Sequence, residues 1–211
     1  KLKLEKQLLG FYLSDHPLKH LAKPAKLISP INISQLEETK DRTKDSLVVM
    51  IPDLKQITTR KGDRMAIVQL EDLSGSCEAI VFPKTYVRLS EFLFTDTRLL
   101  VWGTIDKKSD KTQLIIDDCR EIENLKLLII NLESFQASDV RVQNTLRDCL
   151  IKFKPDKDKR GIKIPVLAAV RNKNNVTYVK FGEQFCIGDI QGACKLLEDK
   201  SFQVNLKSLV S

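Results

Sequence analysis

The chain has 211 residues, 42% of them hydrophobic and 30% charged, with a formal net charge of +7 at pH 7. That length accommodates one or two domains with apolar cores, and the basic excess favours a polyanionic partner without naming one. No run of about 18 apolar residues occurs, so no membrane-crossing helix is expected.

The chain opens Lys-Leu-Lys-Leu without Met and without a signal-peptide pattern, as a fragment or processed chain would. Cysteines stand at 77, 119, 149, 186 and 194. Their number is odd and no CxxC pair occurs. Both facts argue against zinc ligation and against a disulfide framework, and for reduced, buried thiols in cytoplasm.

Residues 1–45 read as a polar helical segment and connector. Leu4, Leu8, Leu9 and Tyr12 follow a helical repeat, and Asp15 and Pro17 mark a stop and restart. Pro24 and Pro30 interrupt the pattern again, and Glu37 to Asp45 is a charged connector.

From Ser46 to Asn124 the period becomes that of strands. Leu47–Ile51, Met65–Leu70 and Glu78–Phe82 are strand runs, with a turn at Gly75. Pro83–Phe92 reads as a helix, followed by strands at Arg98–Ile105 and Gln113–Ile122. Three strands, a helix and two strands is the order of an OB-fold, a five-stranded barrel.

After Asn124 a second pattern runs to residue 211: a strand at Lys126–Leu132, then a helix capped by Ser138 with Val142, Leu146, Cys149, Leu150 and Phe153 on its apolar face. A charged loop, Pro155 to Gly161, leads to a hairpin of Ile164–Val170 and Val176–Phe181. A helix around Ile190, Ala193, Cys194 and Leu197 and a strand at Phe202–Leu206 complete a βαββαβ series, expected as a small split-βαβ unit. The fold class is therefore α+β: a short helical segment, an OB barrel and a small α/β domain.

Oligonucleotides usually lie across strands two and three of an OB-fold, framed by the loops between strands one and two and between strands four and five. The first loop carries Arg60, Lys61 and Arg64, and the second carries Lys107, Lys108 and Lys111. Such cations contact phosphate and release counterions, though Lys-rich turns are also often merely solvated. Strand alternation puts Ala66, Val68, Leu70, Leu99, Val101 and Ile105 inside, and Met65, Ile67, Gln69, Glu78, Ile80, Phe82, Leu100 and Trp102 outside. Phe82 is then either a base-stacking platform or packed beneath the helix that starts at Pro83. Trp102 either stacks or contacts a neighbouring domain.

No catalytic constellation emerges. Glu71-Asp72 and Asp117-Asp118 are adjacent pairs, and neighbours in a strand point to opposite faces. His16 and His20 lack further ligands, and no phosphate-binding loop or nucleophile elbow occurs. No cofactor is expected in this chain.

Two segments carry a family resemblance: Glu5 to Leu18, EKQLLGFYLSDHPL, and Gly62 to Pro83, GDRMAIVQLEDLSGSCEAIVFP. They resemble, in order and spacing, the end of the helix-hairpin-helix region and the OB signature of bacterial DNA polymerase III alpha subunits. Asp15 stands where Gly is more usual, which affects the local turn. The resemblance covers residues 1–124 well and 125–211 poorly. It implies a non-catalytic C-terminal part of the subunit, whose palm domain, with its Mg²⁺-dependent chemistry, and whose PHP domain lie outside this chain. The partners it implies are single-stranded template DNA, the N-terminal catalytic part, and the tau subunit of the clamp loader, docked by residues 125–211. The sliding clamp is a further partner in that family, through a peptide expected upstream of EKQLLGFYL. Alternatives are a protein-interaction module whose barrel binds no nucleic acid, and an anticodon-type module that prefers RNA.

Overall fold

In the computed structural model of the chain the residues described are 16–107, 111–156, 162–173 and 175–210. The EKQLLGFYLS stretch, Lys108 and residues 157–161 of the charged loop lie outside them.

Helix α1 (Ala22–Ile28) follows a 3-10 turn at Lys19–Leu21 and leads into the barrel. Strand β1 (Lys44–Thr58) is longer than its apolar run, because it continues through Pro52 into polar sequence. The register slips between Met50 and Asp53, so Pro52 sits at an irregularity where a missing ladder donor is tolerated. The bend divides the strand: Lys44–Met50 pair with β4 (Arg98–Asp106), and Met50–Thr58 pair with β2 (Arg64–Glu71). One strand thereby joins two sides of the barrel.

Strand β2 pairs with β3 (Ser76–Val81) around Gly75, where the Asp72 carboxylate accepts from the Ser74 and Gly75 N–H groups. Helix α2 (Pro83–Leu89) places Pro83 where its missing N–H costs nothing. It ends at Leu89, earlier than the apolar pattern extended, and Tyr86, Leu89 and Leu93 plug the barrel. Strand β5 (Gln113–Glu121) closes the barrel, antiparallel to β4 and parallel to β3 through Ala79–Leu114 and Ile80–Ile115. The β4–β5 ladder shifts register at Trp102/Gly103. A Cβ at Gly103 would meet the Ile115 carbonyl oxygen at 2.7 Å, so only glycine allows the two backbones to approach this closely there. The inward residues are those the alternation predicts: Ala66, Val68, Leu70, Leu99, Val101 and Ile105 are all buried.

Beyond the barrel come β6 (Lys126–Glu133), α3 (Ser134–Ser138), α4 (Val140–Ile151), β7 (Val166–Asn172), β8 (Asn175–Lys180), α5 (Ile190–Asp199) and β9 (Gln203–Ser208). The cap of α4 is Asp139, whose carboxylate accepts from the Arg141 N–H at 2.7 Å; Ser138 instead ends α3. The sheet order is β8-β7-β6-β9, with β6 and β7 parallel and directly paired. This corrects the split-βαβ expectation, in which another strand would separate the parallel pair. The reason is local: β6, its helices and β7 form an ordinary crossover, and β8 and β9 add at the two edges. Helices α4 and α5 cover one sheet face through Leu146, Leu150, Ala193 and Leu197.

A third apolar cluster joins barrel and sheet. Val48, Leu100 and Trp102 from the barrel meet Leu127, Leu167, Cys186 and Leu209, with Leu21 and Ile28 from the N-terminal segment. The outer face of β4 and of the Lys44–Met50 half of β1 is thus covered, whereas that of β2 and β3 is open.

Candidate nucleic-acid interface

The open face of the barrel is built in rows set by strand register. Lys55 on β1 stands opposite Ile67 on β2, Ile67 opposite Ile80 on β3, and Ile80 opposite Ile115 on β5. All three isoleucines are half-buried, which leaves a shallow apolar floor with a cation at one end. On one side of it the row is Ile57 and Met65; on the other it is Asp53, Gln69 and Glu78. Phe82 continues the outer parity of β3 and is 47% exposed at the N-cap of α2. Of its two expected placements, the structure gives the open one rather than packing beneath the helix.

Arg60, Lys61 and Arg64 frame this face as exposed side chains around Gly62, whose φ of 87° makes the tight turn. The Thr59 hydroxyl accepts from the Asp63 N–H and braces the loop. The opposite loop contributes less than its composition promised. The Lys107 ammonium donates to the Glu37 carbonyl, and the Lys107 N–H donates to Asp41 at 3.0 Å, so this residue ties the connector to the barrel. Lys111 is exposed, and Lys108 lies outside the described residues.

Trp102 has its expected outward parity on β4 but is only 2% exposed, because the C-terminal sheet and α1 lie over that face. This removes it as a stacking platform. The Lys163 ammonium sits 3.9 Å from its ring centroid. Lys163 also reaches Asp118 at 3.1 Å and Glu183 at 2.8 Å, while Arg120 meets Asp118 at 2.6 Å and Arg88 meets it at 3.7 Å.

The paired acids are consumed by structure. Asp117 accepts from Lys44 and Thr104 on one side of β5, and Asp118 belongs to the buried ion cluster on the other. Asp72 accepts from the Ile33 N–H at 2.8 Å as well as within its turn, and Glu71 lies 3.3 Å from His16. Burial pushes the thiols of Cys77 and Cys119 up to about 12 and that of Cys186 up to about 11, so these cysteines are held as neutral thiols.

Lys55 is the site residue that sequence reading missed. The pattern gave no signal for it, because β1 runs on past Pro52 and Leu54, Lys55, Gln56 and Ile57 put one apolar and one polar residue on each face. The charge distribution was also hidden by the whole-chain total. Residues 46–124 hold eleven Lys and Arg against thirteen Asp and Glu, whereas residues 125–211 hold fifteen against nine.

A family model described as an OB-fold nucleic acid binding domain matches residues 46–122. The DNA polymerase III alpha subunit of Aquifex aeolicus is 29% identical over 215 residues, covering 99% of this chain and 17% of that protein. That of Bacillus subtilis is 28% identical over 190 residues, covering 84% of this chain and 17% of that protein. The similarity therefore extends well past residue 124, beyond the two segments in which it was first legible. The chain spans about a sixth of the length of these relatives. Among solved structures, the second OB-fold domain of replication protein A from Methanococcus maripaludis is similar at a TM-score of 0.34 and 14% identity, over 44% of this chain and 97% of that one.

Proposed function

We propose that this chain, which is similar over nearly its whole length to part of bacterial DNA polymerase III alpha subunits, is a non-catalytic template-binding and assembly module of a replicative polymerase. Single-stranded DNA lies across the outer face of β2 and β3. Ile67, Ile80 and Ile115 provide an apolar floor, Phe82 stacks a base, and Arg60, Lys61, Arg64, Lys55 and Lys111 neutralise phosphates. The observation that carries this reading is the division of the barrel surface. The β1–β4 face is buried under the second sheet, while the β2–β3 face stays open and is bordered by exposed cations. The polymerase chemistry belongs to parts of the subunit outside this chain, since the acid pairs here are engaged in turns and ion pairs. In this reading residues 125–211 dock the clamp loader's tau subunit, the catalytic part of the polymerase is a further partner, and the sliding clamp binds a peptide upstream of EKQLLGFYL.

Anisotropy of a labelled oligothymidylate, titrated over a range of salt, tests the groove. Replacing Arg60, Lys61 and Arg64 together by Ala should flatten the log–log salt slope by about 2, at roughly 0.7 per phosphate contact on a single strand. An unchanged affinity and slope would remove these residues from the interface.

A second reading is favoured by the acidic balance of the barrel: it binds protein, not nucleic acid. It predicts no oligonucleotide binding even at low salt.

A further inference from the structure

Among the described residues, no element covers the distal part of one face of the second sheet. Helices α4 and α5 cover the opposite face, and the barrel-proximal rows are buried by the seam around Leu127 and Leu167. The distal rows are only partly covered: Tyr178, Val176, Arg171 and Gln203 are exposed, Asn131 is half-buried and Ala169 is buried among them. Register sets Tyr178 (β8), Ala169 (β7), Asn131 (β6) and Gln203 (β9) side by side across all four strands. The next row out holds Val176, Arg171 and Glu133, and the next row in ends on Asn205, beside Lys207. Because Ala169 is small, the larger side chains around it enclose a hollow of about 330 Å³. Tyr178 is 44% exposed at its rim, and Arg171 and Gln203 are exposed as well.

The chemistry of this face is specific. It has an aromatic ring on an edge strand, three carboxamides within one or two rows of it, the cations Arg171 and Lys207 with the acid Glu133, and, at the seam end, Lys180 paired with Asp45. Carboxamides present both a donor and an acceptor, as the edge of a base requires. An aromatic platform takes the face of any base, and four-stranded sheets with helices behind them use such a face to stack bases of single strands. The surrounding segment is also the part of the chain with the basic excess, fifteen cations to nine acids, while the barrel is acidic.

We infer that the distal face of the β8-β7-β6-β9 sheet is a second binding surface for single-stranded nucleic acid, with Tyr178 stacking a base over Ala169. Asn131 and Gln203 contact the edge of that base, and Arg171 and Lys207 contact the flanking phosphates. The inference builds on the single-strand reading of the chain but does not need the barrel groove.

The test uses the full chain with Arg60, Lys61 and Arg64 already replaced by Ala, so that the groove is disabled. An oligothymidylate bearing a photoreactive 5-iodouracil is crosslinked, and the attachment points are mapped by mass spectrometry; a parallel oligouridylate reports which sugar is preferred. The expected result is attachment on β7–β8 peptides and roughly a tenfold loss of residual affinity in Tyr178→Ala, with Tyr178→Phe retaining it. Tyr178 is exposed and belongs to none of the three apolar clusters, so its replacement leaves the cores intact. Crosslinks confined to residues 46–124, with Tyr178→Ala as tight as its parent, would overturn the inference and leave the groove standing. Sedimentation showing a dimer that Tyr178→Ala dissolves would overturn it in favour of a second copy of the chain. Groove failure is read separately, from the salt slope of the chain with its β1–β2 loop intact.

Discussion

The ion cluster at the seam makes an asymmetric prediction. Asp118 serves three cations: Arg120 at 2.6 Å, Lys163 at 3.1 Å and Arg88 at 3.7 Å. Lys163, only 6% exposed, has Asp118 and Glu183 as partners and the Trp102 ring above it. In Asp118→Asn the three cations lose their shared carboxylate: Lys163 keeps Glu183, while Arg88 and Arg120 keep the Asp117 and Cys119 carbonyls. A buried charge cluster that loses its shared acid costs on the order of 3–5 kcal/mol. In Lys163→Met the acid keeps both arginines, Glu183 is exposed enough to rehydrate, and the Met side chain fills the space beneath the indole. That exchange should cost less, about 1 kcal/mol, because the penalty for breaking a buried pair comes from an uncompensated charge and here Asp118 keeps two arginines. Urea unfolding followed by the emission of Trp102, the chain's single tryptophan, reports directly on the seam. A Lys163→Met variant as unstable as Asp118→Asn would refute the reasoning. It would mean that the lysine, not the shared carboxylate, organises the cluster.

The remaining predictions concern the groove and the thiols. Phe82→Ala should weaken oligothymidylate binding by about 1–3 kcal/mol, the range for one lost base stack, without lowering the melting temperature appreciably, whereas Phe82→Trp should bind at least as well as the parent. Equal affinities in all three would show that Phe82 does not touch the ligand. For Cys119 and Cys186 the folded thiols titrate above their ordinary value of 9.0, near 12 and 11. The folded state therefore holds protons that the unfolded state releases. Their contribution is intact below pH 9 and is lost as pH rises from 9 through the folded values. By pH 10 the two together should lower stability by roughly 3 kcal/mol, and Cys119→Ala/Cys186→Ala should flatten that decline in denaturation measured from pH 8 to 10. An identical decline in the variant would place the titrating groups elsewhere.

The alternation of short strands determined much of this protein without help. The order of elements, the inward set from Ala66 to Ile105 and the outward parity of Phe82 all follow from side chains that alternate across a pleated strand and from turns at Gly62 and Gly75. The two segments resembling polymerase alpha subunits were likewise legible, because local turn-and-strand chemistry is written contiguously. Parity, however, tells a barrel's inside from its outside and not one outer face from another. Trp102 and Phe82 both point outward, yet one is sealed beneath a sheet whose strands begin more than twenty residues later, and the other is open. Only the tertiary structure decided that Lys107 is spent on the connector and that Lys55 joins Ile67 on the groove floor. It also brought Tyr178, Asn131 and Gln203, from three separate strands, into one row. Those relations depend on which strands become neighbours and on domain docking, which rest on contacts between residues far apart in sequence and are not written in the two-residue period of any one strand.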